Sequence, residues 1–403
     1  MNATRTVAAA SMVAFATQVV FALLMLRLFT PEEVGDFSVI SQVAFLWMTL
    51  ALAQAPLTLL ADHNVPAHIG AQHAWRASLV RYAGLLPIAA LSLWLSQLTL
   101  WPTLLWAALL AFCQIGWMLA QSFTLRMGNH WQQASVRVLP PLVAALTALC
   151  MTLLQNTEGW TAPTLVLSAL LGYAIGAAWL APVLQAPPTA KFKSAEAHTH
   201  AHSAPSDSRS TSLRMAHTLV DATLATAVVV VWQRLYGAED TGWMMALLRV
   251  LGFLPAVVHM AWAQVALAQG DSQQAHVRGW HNPWRLGLAA FGCVIGLGLS
   301  CALALSQEWL DLRWQGVWPY IAPLVLWQGC ACLSAAFSHR PFQTQTTRHY
   351  SWACMGLGVV QAFVLLLPMG WDLPIDATQH IATFALTSSV GLLGLTVWMA
   401  RLR

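Results

Sequence analysis

Two charged side chains stand well inside long apolar runs. Asp221 lies about seven residues into the run 214–235, and Arg249 about six residues into 243–266. At about 1.5 Å of rise per residue, each sits roughly 10 Å from its helix end. A charge at mid-bilayer costs at least about 2.5–3.5 kcal/mol, so each is either functional or partnered. Arg249 in a closed cavity suits a phosphate-bearing ligand, because a planar guanidinium pairs with phosphate oxygens bidentately. Asp221 either serves function or hydrogen-bonds to Thr218 or a neighbouring helix. Arg27 and Arg234 stand at run ends, where they either meet substrate or snorkel to the surface. Arg81 enters the run 78–97 from one end and reads as a snorkelling residue. The candidate substrate contacts are therefore Arg249, Arg27, Arg234 and Asp221.

Other chemistries lack their residues. The only lysines are Lys191 and Lys193, and neither follows a glycine, so no phosphate-binding loop for ATP is present. There is no D-x-D and no H-E-x-x-H, and the loops are too short for an external catalytic domain. Neither an enzyme nor a cofactor is expected. The seven cysteines fall in apolar runs without C-x-x-C spacing and read as packing residues, not as a metal or disulfide set. His198, His200 and His202 alternate within a polar stretch. They either bind metal loosely or belong to a solvated linker.

The elements that must position these charges are membrane spans. Of 403 residues, 58% are apolar and only 8% charged, and the mean hydropathy is +0.60. Soluble proteins carry about 25% charged residues. Twelve apolar runs are long enough to cross the bilayer: 7–26, 37–61, 78–97, 100–124, 138–155, 162–184, 214–235, 243–266, 286–306, 317–337, 352–370 and 380–400. The first run is too long for a signal-peptide core and is read as a retained helix. With the N-terminus cytoplasmic, fifteen of the nineteen Lys and Arg fall on the inside and only Arg27, Arg234, Arg249 and Arg313 outside. Both termini are then cytoplasmic. The net charge of +4 points to anionic lipid and not to nucleic acid.

The polar stretch 185–213 divides the chain into an N-terminal six-helix lobe (1–184) and a C-terminal one (214–403). The two carry a common motif. Arg27-Leu-Phe-Thr-Pro-Glu-Glu-Val-Gly35 recurs at an offset of 207 as Arg234-Leu-Tyr-Gly-Ala-Glu-Asp-Thr-Gly242. This predicts parallel repeats. Thr30, Pro31 and Glu33 are spaced as an N-cap, an N1 proline and the acid of a capping box. Gly35 and Gly242 suit close helix approach. The motif either builds an external hairpin or takes part in gating. Many of the 21 tryptophans lie near predicted interfaces, where aromatic belts explain most of them, and Trp47 and Trp117 are central enough to line a cavity.

With "RLFTPEEVGDFSVISQVAFLWMTLALAQAPL" across the first two runs, the chain resembles the O-antigen and polysaccharide (Wzx-type) flippases. That family belongs to the multidrug/oligosaccharidyl-lipid/polysaccharide (MOP) superfamily. Arg27, Pro31, Glu32, Glu33, Gly35 and Phe37 match its first hairpin, and Gly242, Trp243, Arg249 and Pro255 resemble its second-half pattern. The resemblance implies an all-α polytopic membrane protein: twelve transmembrane helices as two parallel six-helix repeats around a central cavity. It implies alternating access that moves an undecaprenyl-pyrophosphate-linked oligosaccharide across the bacterial inner membrane for surface polysaccharide biosynthesis. Lipid-linked oligosaccharide, membrane lipids and glycan polymerase or ligase proteins would be the partners. Twelve spans differ from the fourteen usual in the lipid II flippase branch. Two other readings stand beside this one: a cation-coupled multidrug antiporter, for which Asp221 is the clear embedded acid, and a non-transporting scaffold for glycan assembly.

Overall fold

The computed structural model describes residues 3–61, 65–128, 130–154, 161–185, 208–259, 282–344, 346–371 and 375–402. Most of the stretch 185–213, including His198, His200 and His202, lies outside them. Every regular element among the described residues is a helix. In order these are α1 (Ala3–Leu28), α2 (Pro31–Leu52), α3 (Ala55–Ala61), α4 (Ala67–Gly84), α5 (Leu86–Leu95), α6 (Leu100–Arg126), α7 (His130–Leu154), α8 (Thr161–Ala178) and α9 (Ala181–Gln185). There follow α10 (Ser208–Leu251), α11 (Phe253–Val257), α12 (Pro283–Ser306), the 3₁₀ turn Leu312–Val317, α13 (Trp318–Phe337), α14 (Arg340–Gln343), α15 (Thr347–Trp371) and α16 (Ala377–Arg401).

Eight described helices are long and apolar enough to cross a membrane, nine if the bent pair α4–α5 is one span. The sequence predicts twelve. Part of the difference lies in α10, whose stretch Met215–Val257 counts once although Gly237 breaks it with φ 86° and ψ −178°. That conformation is open to glycine alone. In the first and sixth runs, Ala16–Leu28 and Pro163–Ala178 are shorter apolar helices.

The chain forms two compact units. The first holds 1–28 and 36–226; α7 packs on α1 and α8, and α6 on α3, α4 and α8. The second holds 29–35 and 227–403; α13 packs on α12 and α16, and α15 on α16. Lipid tails are as apolar as leucine, so close packing and hydrogen bonds, more than hydrophobic transfer, hold such helices together.

Prolines set where those hydrogen bonds go. A proline inside a helix has no N–H for the carbonyl four residues back, and an unmet carbonyl in an apolar surrounding is costly. Pro140 in α7 leaves the Val136 carbonyl open, and the Trp117 indole N–H from α6 donates to it at 2.8 Å. Pro368 in α15 leaves the Val364 carbonyl, which lies 3.2 Å from His380 Nε2 on α16. The last carbonyls of α2 are open because the helix ends at Leu52, and Arg81 Nη1 donates to those of Ala51 and Leu52, both at 3.1 Å. The expected single run 37–61 is accordingly two helices, broken at Ala53 with φ 47°. The run around 78–97 starts earlier than expected, at Ala67, and bends by 47° between Gly84 and Leu86, where Pro87 begins the next helix. Trp47 and Trp117 are packing residues. Trp47 is buried, donates to the Tyr82 carbonyl at 2.8 Å and stacks on the Tyr82 ring. Trp117 lies against Tyr173.

The capping box forms as the spacing predicts. Thr30 N donates to Glu33 Oε2 at 2.9 Å, and Glu33 N to Thr30 Oγ1 at 3.3 Å. In the second copy Gly237 replaces Thr30 and offers no hydroxyl. Asp240, at the position of Glu33, instead accepts a hydrogen bond from the Tyr320 hydroxyl. Within the second unit the two copies meet reciprocally. A methyl group at Gly35 would overlap the Ala238 carbonyl, and one at Gly242 the Pro31 carbonyl. Pro31 and Ala238 are equivalent positions of the repeat, so this is a pseudo-twofold, self-complementary contact.

Candidate functional site

The break between α2 and α3 opens a concave site in the first unit. Ala53 turns the chain left-handed, α3 runs on from Ala55, and α4 returns alongside it. The resulting cavity of about 500 Å³ is lined by Gln54, Thr58, His73, Arg81, Arg126 and Met215, among others.

Two arginines dominate it, each held by backbone carbonyls of neighbouring segments. Arg81, on α4, donates from Nη1 to the Ala51 and Leu52 carbonyls, both at 3.1 Å. These belong to the last turn of α2, where carbonyls lack intrahelical donors and the helix dipole favours a cation. Arg126, the last residue of α6, donates from Nη1 to the Leu59 carbonyl of α3 at 2.9 Å and from Nη2 to the Val65 carbonyl. Gly70 faces it closely; a Cβ there would lie 3.5 Å from Arg126 Nη1.

A guanidinium has five N–H donors in a planar fork, and these carbonyls engage one nitrogen of Arg81 and two of Arg126. The backbone thus fixes both side chains while leaving Arg81 donors directed elsewhere. Among the described residues, no Asp or Glu lines the cavity. Two positive charges with hydroxyl, amide and imidazole neighbours form a site for an anion with several oxygens, such as a phosphate or pyrophosphate.

The four residues singled out in the sequence fall elsewhere. None lines this cavity. Arg27 is exposed near the end of α1. Asp221 is exposed on α10 and pairs with His217, one turn back, at 3.3 Å. Arg234 and Arg249 are half-buried on opposite sides of the break at Gly237. Arg81 reads in sequence only as a snorkelling residue and Arg126 only as a loop charge. The available signal was Pro56: a proline within an apolar run marks a break in the helix, and hence open carbonyls at the end of its first part. Among the described residues no group of His, Cys, Asp and Glu is placed to hold a metal ion.

No family model matches the sequence, and no curated protein matches it. The fold is recognisable nonetheless. It is similar to "Lipid II flippase MurJ, inward closed conformation", with a TM-score of 0.66 at 11% identity, over 97% of this chain and 87% of that one. It is also similar to the MATE multidrug transporter DinF-BH, with a TM-score of 0.54 at 12% identity, over 98% and 95% of the two chains. An inward-facing MATE family transporter of the MOP superfamily matches at 0.50 and 12%, over 97% of both. At such identities the likeness is one of fold: this chain has several helices long and apolar enough to cross a membrane and is folded like a lipid II flippase and MATE family transporters.

Proposed function

We propose that the protein is a Wzx-type flippase of the MOP superfamily. It moves an undecaprenyl-pyrophosphate-linked oligosaccharide from the cytoplasmic to the periplasmic leaflet of the inner membrane by alternating access. The observation that carries this reading is the Arg81–Arg126 cavity, cationic and with no carboxylate among its described lining residues, at the face that the Lys and Arg distribution assigns to the cytoplasm. The pyrophosphate of such a substrate is presented on that face before transport. Fold likeness to a lipid II flippase over nearly the whole chain adds support.

The reading carries the twelve-helix, two-repeat frame with it, both termini cytoplasmic and the lobes at 1–184 and 214–403. The reciprocal Gly35–Ala238 and Gly242–Pro31 approach favours true repeats. Arg249, Arg27, Arg234 and Asp221 are secondary contacts along the path, and glycan polymerase or ligase proteins are downstream partners. A multidrug antiporter is the second reading, favoured by the likeness to a multidrug transporter.

The test separates the charge of Arg81 from its structural task. In cells lacking the chain, Arg81→Gln removes the charge but keeps an amide N–H that can donate to the α2 carbonyls. The variant is expected at wild-type abundance, with lipid-linked glycan retained on the cytoplasmic leaflet and surface glycan lost. Full surface glycan from the variant would remove the cavity from the substrate path. Unchanged glycan in cells lacking the chain, with new drug sensitivity, would establish the antiporter.

A further inference from the structure

A second polar cluster lies wholly in the second unit, apart from the anion cavity. His380, in the first turn of α16, is buried at 2% exposure. Its ring stacks on Trp232 of α10 with centroids 4.8 Å apart and planes at 24°. Its Nδ1 lies 3.0 Å from the Tyr236 hydroxyl, which is also 3.3 Å from the Ile375 carbonyl. Its Nε2 lies 3.2 Å from the Val364 carbonyl.

The hydrogens follow from what each group can do. The Val364 carbonyl is the one that Pro368 leaves without a backbone donor, and a carbonyl only accepts. Nε2 therefore carries a hydrogen in every state. With neutral imidazole, Nδ1 is an acceptor and Tyr236 donates to it. With imidazolium, Nδ1 donates to the Tyr236 oxygen, and the tyrosine hydrogen turns to the Ile375 carbonyl. Both states are fully hydrogen-bonded, and they differ by one proton and one rotation about the tyrosine C–O bond.

We propose that His380 is a proton-binding site, in which proton uptake at Nδ1 passes the Tyr236 hydroxyl hydrogen to Ile375 and so ties α10 to the segment entering α16. The charged state has further support around it. From α10, the Trp232 ring face attracts a cation. Asp240 beyond Gly237, and Asp376 at the start of α16, lie within electrostatic reach of Tyr236. From α13, Tyr320 meets the edge of Trp232 and donates to Asp240. From α15 comes the Val364 carbonyl. Arg234, two residues from both Trp232 and Tyr236, projects from the opposite side of α10 by helical spacing. Asp376 is exposed and caps α16 by accepting from Gln379 N. The inference is independent of the transported substrate.

The experiment is a pH titration of the full chain in lipid nanodiscs with ring-¹⁵N-labelled histidine. His380 signals are identified by their loss in His380→Gln and by their displacement in Tyr236→Phe. Wild type is expected to keep Nε2 protonated throughout while Nδ1 gains a proton in a single step. Tyr236→Phe removes a partner from both states, but the charge-assisted bond of the imidazolium is the stronger of the two, so the step is expected to move down by about one pH unit, roughly a tenfold loss of proton affinity. Pro368→Ala supplies Val364 with a backbone donor and is expected to mix the two neutral tautomers. A neutral His380 protonated at Nδ1, no step between about pH 4 and 9, or a step unmoved in Tyr236→Phe would each overturn the proposal. If His380→Gln does not fold, the signals displaced in both Tyr236→Phe and Pro368→Ala make the assignment.

Discussion

Trp117 and Pro140 form a pair whose energetics can be worked from the structure. Among the described residues, the Trp117 indole at 2.8 Å is the side-chain donor to the Val136 carbonyl, and Val136 is fully buried. Trp117→Phe keeps an aromatic ring against Tyr173 but removes that donor. A buried acceptor left unmet costs about 1–3 kcal/mol. Interhelical hydrogen bonds measured in a membrane protein average about 0.6 and reach about 1.7 kcal/mol, so a value near 1–1.5 is expected. Pro140→Ala restores a backbone N–H to the same carbonyl. In that background, loss of the indole costs only ring packing, which the cycle subtracts. The coupling between the two substitutions is then about 1–1.5 kcal/mol, with the double variant more stable than the sum of the singles predicts. Reversible unfolding in mixed micelles measures all four corners. Additivity within about 0.5 kcal/mol would show that the indole does not serve the carbonyl that the proline leaves open.

Gly35→Ala and Gly242→Ala each drive a methyl into a backbone carbonyl and are expected to cost about 1–3 kcal/mol. Gly292→Ala, a helical glycine whose added Cβ meets nothing within 4 Å, should be neutral or stabilising by up to about 1 kcal/mol; thermal unfolding in detergent reads the contrast. Thr30→Ala removes the first capping box and should lose about 1 kcal/mol, whereas Gly237→Ala should be worse than an ordinary cap change because φ is 86° there. Arg340 donates from Nη1 to the Ala400 carbonyl at 2.7 Å, at the end of α16. Arg340→Gln should fray that helix, seen as faster amide exchange over the last turn without change at its first turn.

How much was legible in the residues depends on how far each interaction reaches along the chain. Helix class, the bilayer setting and the first hairpin were legible because each is decided within one or two turns. Apolar runs have a length, charged residues are few, and Thr30 and Glu33 stand three residues apart as a capping box requires. The repeated motif was legible too, but not that Gly35 and Gly242 would face each other's carbonyls, since that contact spans roughly the whole offset of the repeat. The candidate charges show the same limit. Arg249 and Asp221 stood out because they are costly in a span, yet cost does not say what they meet, and neither lines the cavity. Arg81 and Arg126 stood near run ends, where snorkelling or a loop position already accounts for a charge.

What the sequence determined by itself was the set of obligations. Each proline within a helix leaves the carbonyl four residues back without a donor, as Pro140 does Val136 and Pro368 does Val364, and a helix end such as that of α2 before Ala53 leaves its last carbonyls open. What only tertiary structure decided was who meets them. Arg81, Trp117 and His380 come from other helices, 29, 19 and 16 positions away. Where the chain stops supplying its own hydrogen bonds, a distant side chain must supply them, and only packing brings that side chain within about 3 Å.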